Sequence, residues 1–358
     1  MRFAALRTAA FRNLADLEVN TQAKDVFLVG ENGQGKTNFL EALYFCSYAS
    51  SFRGVRDTEL VRIGEKDCSA SVGITGSLHD RVLVKFEDGK KSIRIDGKRT
   101  DDRKELLAVA PCIVFCHEDM EFVSGPPERR RWFFDQSQSL YDPVYLEDLQ
   151  KYRKLLKTRN AVLKAGRDRA DTLILDTLDP QMAEYGLRLM EKRGEAARRF
   201  SELFGPLYEE VSGIGAVSVR YAPSWKETAF EGVTAFLRER REGDMAMGVS
   251  LSGPHRDRYV FSCRGAEFAG KASTGQRRLL ALLLRIAQAR RYSDTTGKNP
   301  VLLLDDVLLE LDPEKRRKFL SVMPEYDQAF YTFLPEERIE GYGKADTLIY
   351  RVSGGNLT

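Results

Sequence analysis

Residues 30 to 37 read GENGQGKT and fill every fixed position of the pattern G-x-x-x-x-G-K-[ST]. These types in this order suit phosphate chemistry. Gly33 and Gly35 let backbone N–H groups close around phosphate oxygens, the Lys36 ammonium reaches the outer phosphates, and the Thr37 hydroxyl can ligate Mg²⁺. Gly30, Glu31, Asn32 and Gln34 complete the loop and count among its candidate contacts. A second feature is the carboxylate pair that closes VLLLDD at 301 to 306. Asp305 is placed to hold the metal, usually through water, and Asp306 to orient or deprotonate an attacking water. Lys36, Asp305 and Asp306 are thus the candidate catalytic set. Plainer readings compete, since glycine-rich turns occur without ligands and aspartates cap helices. The context favours chemistry: the apolar run DVFLVG leads into the loop and the helical pattern NFLEALYFCSYA leaves it.

Other residues carry weaker signals. Cys112, Cys116 and His117 stand close together, yet no second Cys/His pair lies at zinc spacing, and the five cysteines are scattered and odd in number. They read as core thiols of a reducing compartment. His255 in SGPHRD, at 252 to 257, has no nucleophile pattern beside it, so a structural or nucleotide-sensing role competes with a catalytic one. Arg53 and Arg56 are candidates to touch phosphate or DNA, or are solvated surface arginines. Residues 151 to 169 hold eight positive side chains (Lys151, Arg153, Lys154, Lys157, Arg159, Lys164, Arg167 and Arg169) against Asp168 alone. Such a helical stripe suits duplex phosphates, with Lys154, Lys157 and Lys164 as its candidate contacts, although a solvated face is the default for charged runs.

The elements that must position these groups are legible in outline. The first residues alternate as a strand meander that ends in a buried strand before Gly30. Short strands follow Arg56, with hairpin turns at the DG pairs of Asp88 and Asp96. From about Tyr145 apolar residues recur at Leu146, Leu149, Tyr152, Leu156 and Leu163, one face of a long helix, and a second long helix is expected after Pro180. Strand character returns near Val217, then a helix from about Gly275, a very apolar strand from Pro300 and a closing strand from Ala329. The fold class is therefore α/β, with an antiparallel helical arm inserted between the two ends of the chain. The expected division is 1–110 and 248–358 for the α/β part and 111–247 for the arm.

Composition bounds the function. With 358 residues, 42% apolar and 30% charged, the chain has material for a core and for about two domains. Lys plus Arg outnumber Asp plus Glu by 56 to 53, so nucleic-acid affinity must come from local patches. The N-terminus lacks the uninterrupted apolar stretch of a signal peptide, and the run from Leu279 is broken by Arg285, short of the roughly 20 apolar residues of a membrane span. A cytoplasmic protein without a membrane partner is expected.

The segment ASTGQRRLLALLLRIAQA, from Ala272, resembles the signature segment of ABC-type ATPases, and its Gln276 stands 29 residues before Asp305. LLELD at 308 to 312 resembles the D-loop that follows the carboxylate pair in that superfamily. SGPHRD, GPPERRRWFFD at 125 to 135, YRKLLKTRNAVLK at 152 to 164, FRN at 11 to 13 and SFRGVRDTELVRIG at 51 to 64 are similar to segments of the RecF family, in that family's order. Departures stand at Leu309, where the D-loop generally has Ser, at His117, where Pro is usual, and at Phe333, in place of a hydroxyl residue. The resemblance implies an ABC-type P-loop ATPase head carrying the helical arm as a lid, with ATP and Mg²⁺ as ligands. It further implies a homodimer glued by ATP, in which Ser273, Gly275 and Gln276 of one subunit meet the phosphates held by the other. Implied too are slow, DNA-stimulated hydrolysis, clamping of duplex or gapped DNA at the nucleoid, and work with RecO and RecR to load RecA in recombinational gap repair. Rival readings are a nucleotide-binding subunit of a membrane transporter and an ATP-dependent scaffold without turnover.

Overall fold

The runs DVFLV, CIVF, VLLL and QAFYTF are buried along almost their whole length, as strands covered on both faces must be. In the computed structural model, which describes residues 1–165, 172–268, 270–309, 311–337, 339 and 345–358, they form one sheet. Its order is Asn356–Leu357, Thr347–Ser353, Asp25–Val29, Gln328–Phe333, Val301–Leu304, Cys112–Phe115. All neighbours run parallel except the short edge strand. Val29 pairs with Phe333 and Leu304 with Tyr331, so the carboxyl ends that lead into Gly30 and Asp305 lie at one end of the sheet. Ligands of open α/β sheets bind in the crevice beyond that end.

A second six-stranded sheet is antiparallel, in the order Leu17–Asn20, Arg2–Ala9, Cys68–Thr75, Arg81–Glu87, Lys90–Ile95, Lys98–Thr100. Its hairpins turn at Asp88-Gly89 and Asp96-Gly97, each with positive φ at both residues, the backbone that suits the strands' right-handed twist. Helix Lys36–Tyr48 lies against both sheets and shares one core with them, through Phe39, Leu43, Phe45, Val72, Val84, Val114 and Leu303. These parts form one compact unit, Met1–Asp119 with Leu284–Thr358.

The other unit is Met120–Leu283. Its helices Pro143–Lys164 and Thr172–Ser212 are antiparallel: Asp142 pairs with Lys192, Asp148 with Arg188 and Arg159 with Asp179. Tyr145, Leu149 and Tyr152 pack with Met182, Ala183, Met190 and Trp225. The second helix begins before Pro180 and runs through it; the lost backbone donor is offset by burial of Leu175, Leu178 and Asp179 around that turn. A three-stranded sheet, Ala266–Glu267, Arg258–Cys263, Val217–Ala222, completes the unit with helices Phe230–Glu239 and Arg241–Met247.

The expected boundaries at 111 and 247 differ from these units at both ends. Strand Cys112–Phe115 pairs with Val301–Leu304, which ties residues 111–119 to the parallel sheet. Strand Arg258–Cys263 pairs with Val217–Ala222, which ties residues 248–283 to the helical unit. The second boundary therefore falls inside helix Thr274–Thr296. Among the described residues no helix is long and apolar enough to cross a membrane, and no group of three or more His, Cys, Asp or Glu side chains is placed to hold a metal ion by itself. All five cysteines are free thiols.

Candidate phosphate-binding site

Strand Asp25–Val29 delivers the chain to Gly30, and Gly35 ends the loop as N-cap of helix Lys36–Tyr48. Two glycines are dictated by geometry. Gly35 has φ +119, a conformation that side chains rarely adopt, and a Cβ on Gly30 would stand 2.3 Å from the Val352 carbonyl oxygen. Since Gly35 offers no capping side chain, the first N–H groups of the helix point out of its end with no intrahelical acceptor. That is the arrangement in which helix ends take anions.

The Lys36 side chain is 4% exposed, and its Nζ donates to the carbonyls of Gly30 (2.6 Å) and Glu31 (3.1 Å). An ammonium so buried among neutral acceptors fits an anion beside it. Thr37 Oγ1 donates to Asp305 Oδ1 at 2.8 Å, so the two candidate metal ligands, 268 positions apart, meet. Burial pushes the Asp305 carboxyl up to about 7; the Thr37 hydrogen bond opposes this, the neighbouring Asp306 adds to it, and Arg53 opposes it. Asp306 takes up φ +53, with its N–H donating to Thr332 Oγ1 and its Oδ1 accepting from that hydroxyl, both at 2.7 Å.

A cleft of about 220 Å³ is lined by Asn32, Gly33, Gly35, Lys36, Thr37, Asn38, Arg53 and Asp306. Of the expected loop contacts, Gly30, Glu31 and Gln34 do not line it: the first two supply the carbonyls that hold Lys36, and Gln34 Oε1 accepts from the Gly354 N–H at 2.7 Å. Arg53 reaches the cleft and donates to Asn38 Oδ1 at 3.3 Å, whereas Arg56 is exposed at the start of a 3₁₀ turn and does not line it. Beneath Arg53 lies Glu41, wholly buried, which accepts from Arg12 Nε (2.9 Å), Arg12 Nη2 (3.1 Å) and the Ser51 hydroxyl. Asn13 donates to the Gly33 carbonyl at 3.0 Å and accepts from Asn38 at 2.7 Å. Motif reading did not assign roles to Asn13, Asn38, Glu41 or Thr332; the FRN triplet was the one available signal, for Arg12 and Asn13.

Ser273, Gly275 and Gln276 belong to the other compact unit and lie at the start of helix Thr274–Thr296. Gln276 N–H donates to Ser273 Oγ (3.2 Å) and Ser273 N–H to Gln276 Oε1 (2.8 Å), a reciprocal cap that fixes this helix end. Ser273 and Gly275 are exposed.

On helix Pro143–Lys164, Lys154, Lys157 and Lys164 are exposed and form no ion pair among the described residues, and their spacing puts them along one face. Arg159 departs from the expected stripe. It is fully buried and bridges Asp179 (2.8 Å), Asp244 (2.6 Å) and the Ser250 hydroxyl (2.8 Å), while Asn160 accepts from the Ser250 backbone. Lys151 stacks over the Tyr185 ring and Arg153 pairs with Asp135, while Arg167, Asp168 and Arg169 lie outside the described residues. His255 is a packing residue. Its Nε2 meets the Ser250 carbonyl (3.0 Å), so Nδ1 accepts from Tyr152 (2.9 Å), and burial pushes the imidazole down to about 4.

Residues 3–352 match the family described as RecF/RecN/SMC N terminal domain. The DNA replication and repair protein RecF of Treponema pallidum (strain Nichols) is 46% identical over 347 residues, 96% of this chain and 97% of that protein. A solved structure of the recombination mediator protein RecF-ATP in the RecFOR pathway superposes with a TM-score of 0.87 at 26% identity, over 99% of this chain and 96% of that one. An SMC head bound to the C-winged helix domain of ScpA shares the fold, with a TM-score of 0.54 at 14% identity over 100% of this chain and 97% of that one. Likeness along nearly the whole chain agrees with a glycine loop and a carboxylate pair at the carboxyl end of a parallel sheet: the chain belongs to the RecF family, SMC-like ATPases of DNA replication and repair.

Proposed function

We propose that this chain binds and slowly hydrolyses ATP to gate its grip on DNA during recombinational gap repair. The observation that carries the reading is that Lys36, Thr37 and Asp306 line one cleft while Asp305 accepts from the Thr37 hydroxyl at its edge, 2.8 Å away. In this reading the loop N–H groups and Lys36 bind the triphosphate, and Arg53 adds a second cation. Mg²⁺, held by Thr37 and Asp305, would neutralise charge on the phosphates. Asp306 orients a water and takes its proton as the new oxygen–phosphorus bond forms and the bond to ADP breaks.

Ser273 and Gly275 stand exposed on a capped helix end, which supports donation to the outer phosphate of ATP bound by a second copy. ATP then joins two copies. The unpaired lysines of helix Pro143–Lys164 support contact with duplex or gapped DNA through phosphates rather than base edges. The pathway named for the matched RecF structures supports work with RecO and RecR, and loading of RecA in the cytoplasm at the nucleoid is the role this reading carries over from the family resemblance. The transporter reading is set aside, because the likeness to RecF proteins covers nearly the whole chain.

The test is phosphate release by Asp306→Asn, with and without duplex DNA. Loss of the proton acceptor should lower turnover by about 10²- to 10⁴-fold while ATP still binds. Unchanged release by the variant would move the base elsewhere, and no release by the wild-type chain would make it a scaffold.

A further inference from the structure

The strand Gln328–Phe333 ends beside the carboxylate pair, and its alternation divides its last residues between two faces. Tyr331 and Phe333 share a face, where both rings pack on Phe27 at centroid distances of 5.4 and 5.1 Å. Thr332 points the other way. The last hydroxyl of the strand is therefore at 332, beside the apolar Phe333.

Thr332 is 4% exposed, so its hydroxyl must find partners within the protein. It has one proton to give and lone pairs to accept with. The Asp306 N–H donates to it at 2.7 Å, and it stands 2.7 Å from Asp306 Oδ1 but 3.4 Å from Asp305 Oδ1. The single proton therefore belongs to Asp306. The division is consistent with Thr37, whose hydroxyl already serves Asp305 Oδ1 at 2.8 Å. One side chain thus grips Asp306 at both its backbone and its carboxylate. Such a grip suits Asp306, because φ +53 lies in the left-handed region that side chains adopt rarely and local hydrogen bonds help to hold.

We propose that Thr332 is the positioning residue for Asp306: its hydroxyl fixes the left-handed turn at the end of strand Val301–Leu304 and binds one carboxylate oxygen, leaving the other to face the cleft and the attacking water. The inference rests on the proposed role of Asp306 as the proton acceptor. It concerns the rate of the chemical step and not the affinity for ATP, since Thr332 does not line the cleft.

The test compares Thr332→Ser, Thr332→Val and Asp306→Asn in the full chain, with ATP affinity measured beside turnover. Loss of a hydrogen bond to an ionised group corresponds to about 10- to 100-fold, so Thr332→Val should lower kcat by that factor with KM and ATP affinity within about threefold of wild type. Thr332→Ser, which keeps the hydroxyl, should restore kcat to within about threefold. In the Asp306→Asn background the valine should lower turnover by no more than about twofold, because the group it positions is gone. Thr332→Ala, lacking hydroxyl and γ-methyl alike, repeats the comparison where the valine variant misfolds. Wild-type kcat in the valine and alanine variants, equal losses in serine and valine, or a full additional loss in the Asp306→Asn background each overturns the inference. Wild-type turnover by Asp306→Asn removes the assignment of Asp306 and the inference with it, whereas a dead Asp306→Asn beside an active Thr332→Val removes the inference alone.

Discussion

Asp305 and Asp306 are adjacent in sequence yet are held by different hydroxyls, Thr37 on one and Thr332 on the other. The pair was legible because four apolar residues explain a buried strand and leave two carboxylates at its end unexplained. Thr332 was not, since only the parallel register with Val301–Leu304 brings it there from 26 positions away. The environment of Asp305 makes a pH-dependent statement. Burial raises its pKa to about 7, so in the metal-free chain the carboxyl takes up a proton as pH falls through that value. Relative to the unfolded chain, in which the carboxyl titrates near 3.8, protonation contributes stability to the metal-free fold that is complete below that value and is lost as pH rises through about 7. With Asp305 as the proposed Mg²⁺ ligand, the ion and the proton would compete for the same oxygens. The Mg²⁺ concentration that half-supports hydrolysis should therefore rise by up to about tenfold per unit below pH 7 and level off above it, as a Mg²⁺ titration at pH 6, 7 and 8 reads out. A requirement that does not change across that range contradicts the placement of Asp305 at the metal.

At the scale of elements, the long helix Pro143–Lys164 was readable from its apolar spacing, and Leu149, Tyr152 and Leu163 are buried as that spacing requires. Its charges were only partly readable. A basic run looks the same in sequence whether an arginine faces solvent or, like Arg159, is buried against Asp179 and Asp244, which come from other helices. The three lysines left on the exposed face carry a prediction. Reversing Lys154, Lys157 and Lys164 to Glu should weaken duplex binding and flatten its salt dependence, by about one unit of log–log slope for each lost phosphate contact. ATP binding should survive, and an unchanged slope would place the DNA elsewhere. In the same unit His255 links Tyr152 to the Ser250 carbonyl in its neutral form, with the cations Arg131 and Arg256 and the anion Asp244 around it. Its pKa falls from 6.5 to about 4 on burial, so its stabilising contribution is complete above pH 6.5 and is lost as pH falls toward 4. The limit is about 3 kcal/mol. Urea unfolding of wild type and His255→Gln between pH 7.5 and 5 should show the wild type losing more stability than the variant; parallel losses would show that His255 does not titrate in this way.

For the whole molecule, the main architectural inference was that the two ends of the chain build one α/β body. Strand Asp25–Val29 indeed lies between Gln328–Phe333 and Thr347–Ser353. The limits of the inserted unit were less legible, because helix Thr274–Thr296 is one apolar pattern that passes from one unit into the other without a breaker. That helix opens on Ser273 and Gly275, and joint use of this end and the glycine loop by two copies is the central claim. Sedimentation velocity of the full chain with Mg²⁺, with and without ATP and duplex DNA, tests it directly, beside Ser273→Arg. The wild type should shift from monomer to dimer with ATP, and further with DNA. The variant should bind ATP with near wild-type affinity and stay monomeric, because a bulky cation occupies the approach to the partner's phosphates. A wild-type chain that stays monomeric with ATP and DNA, or a Ser273→Arg chain that dimerises as the wild type does, would contradict the shared site.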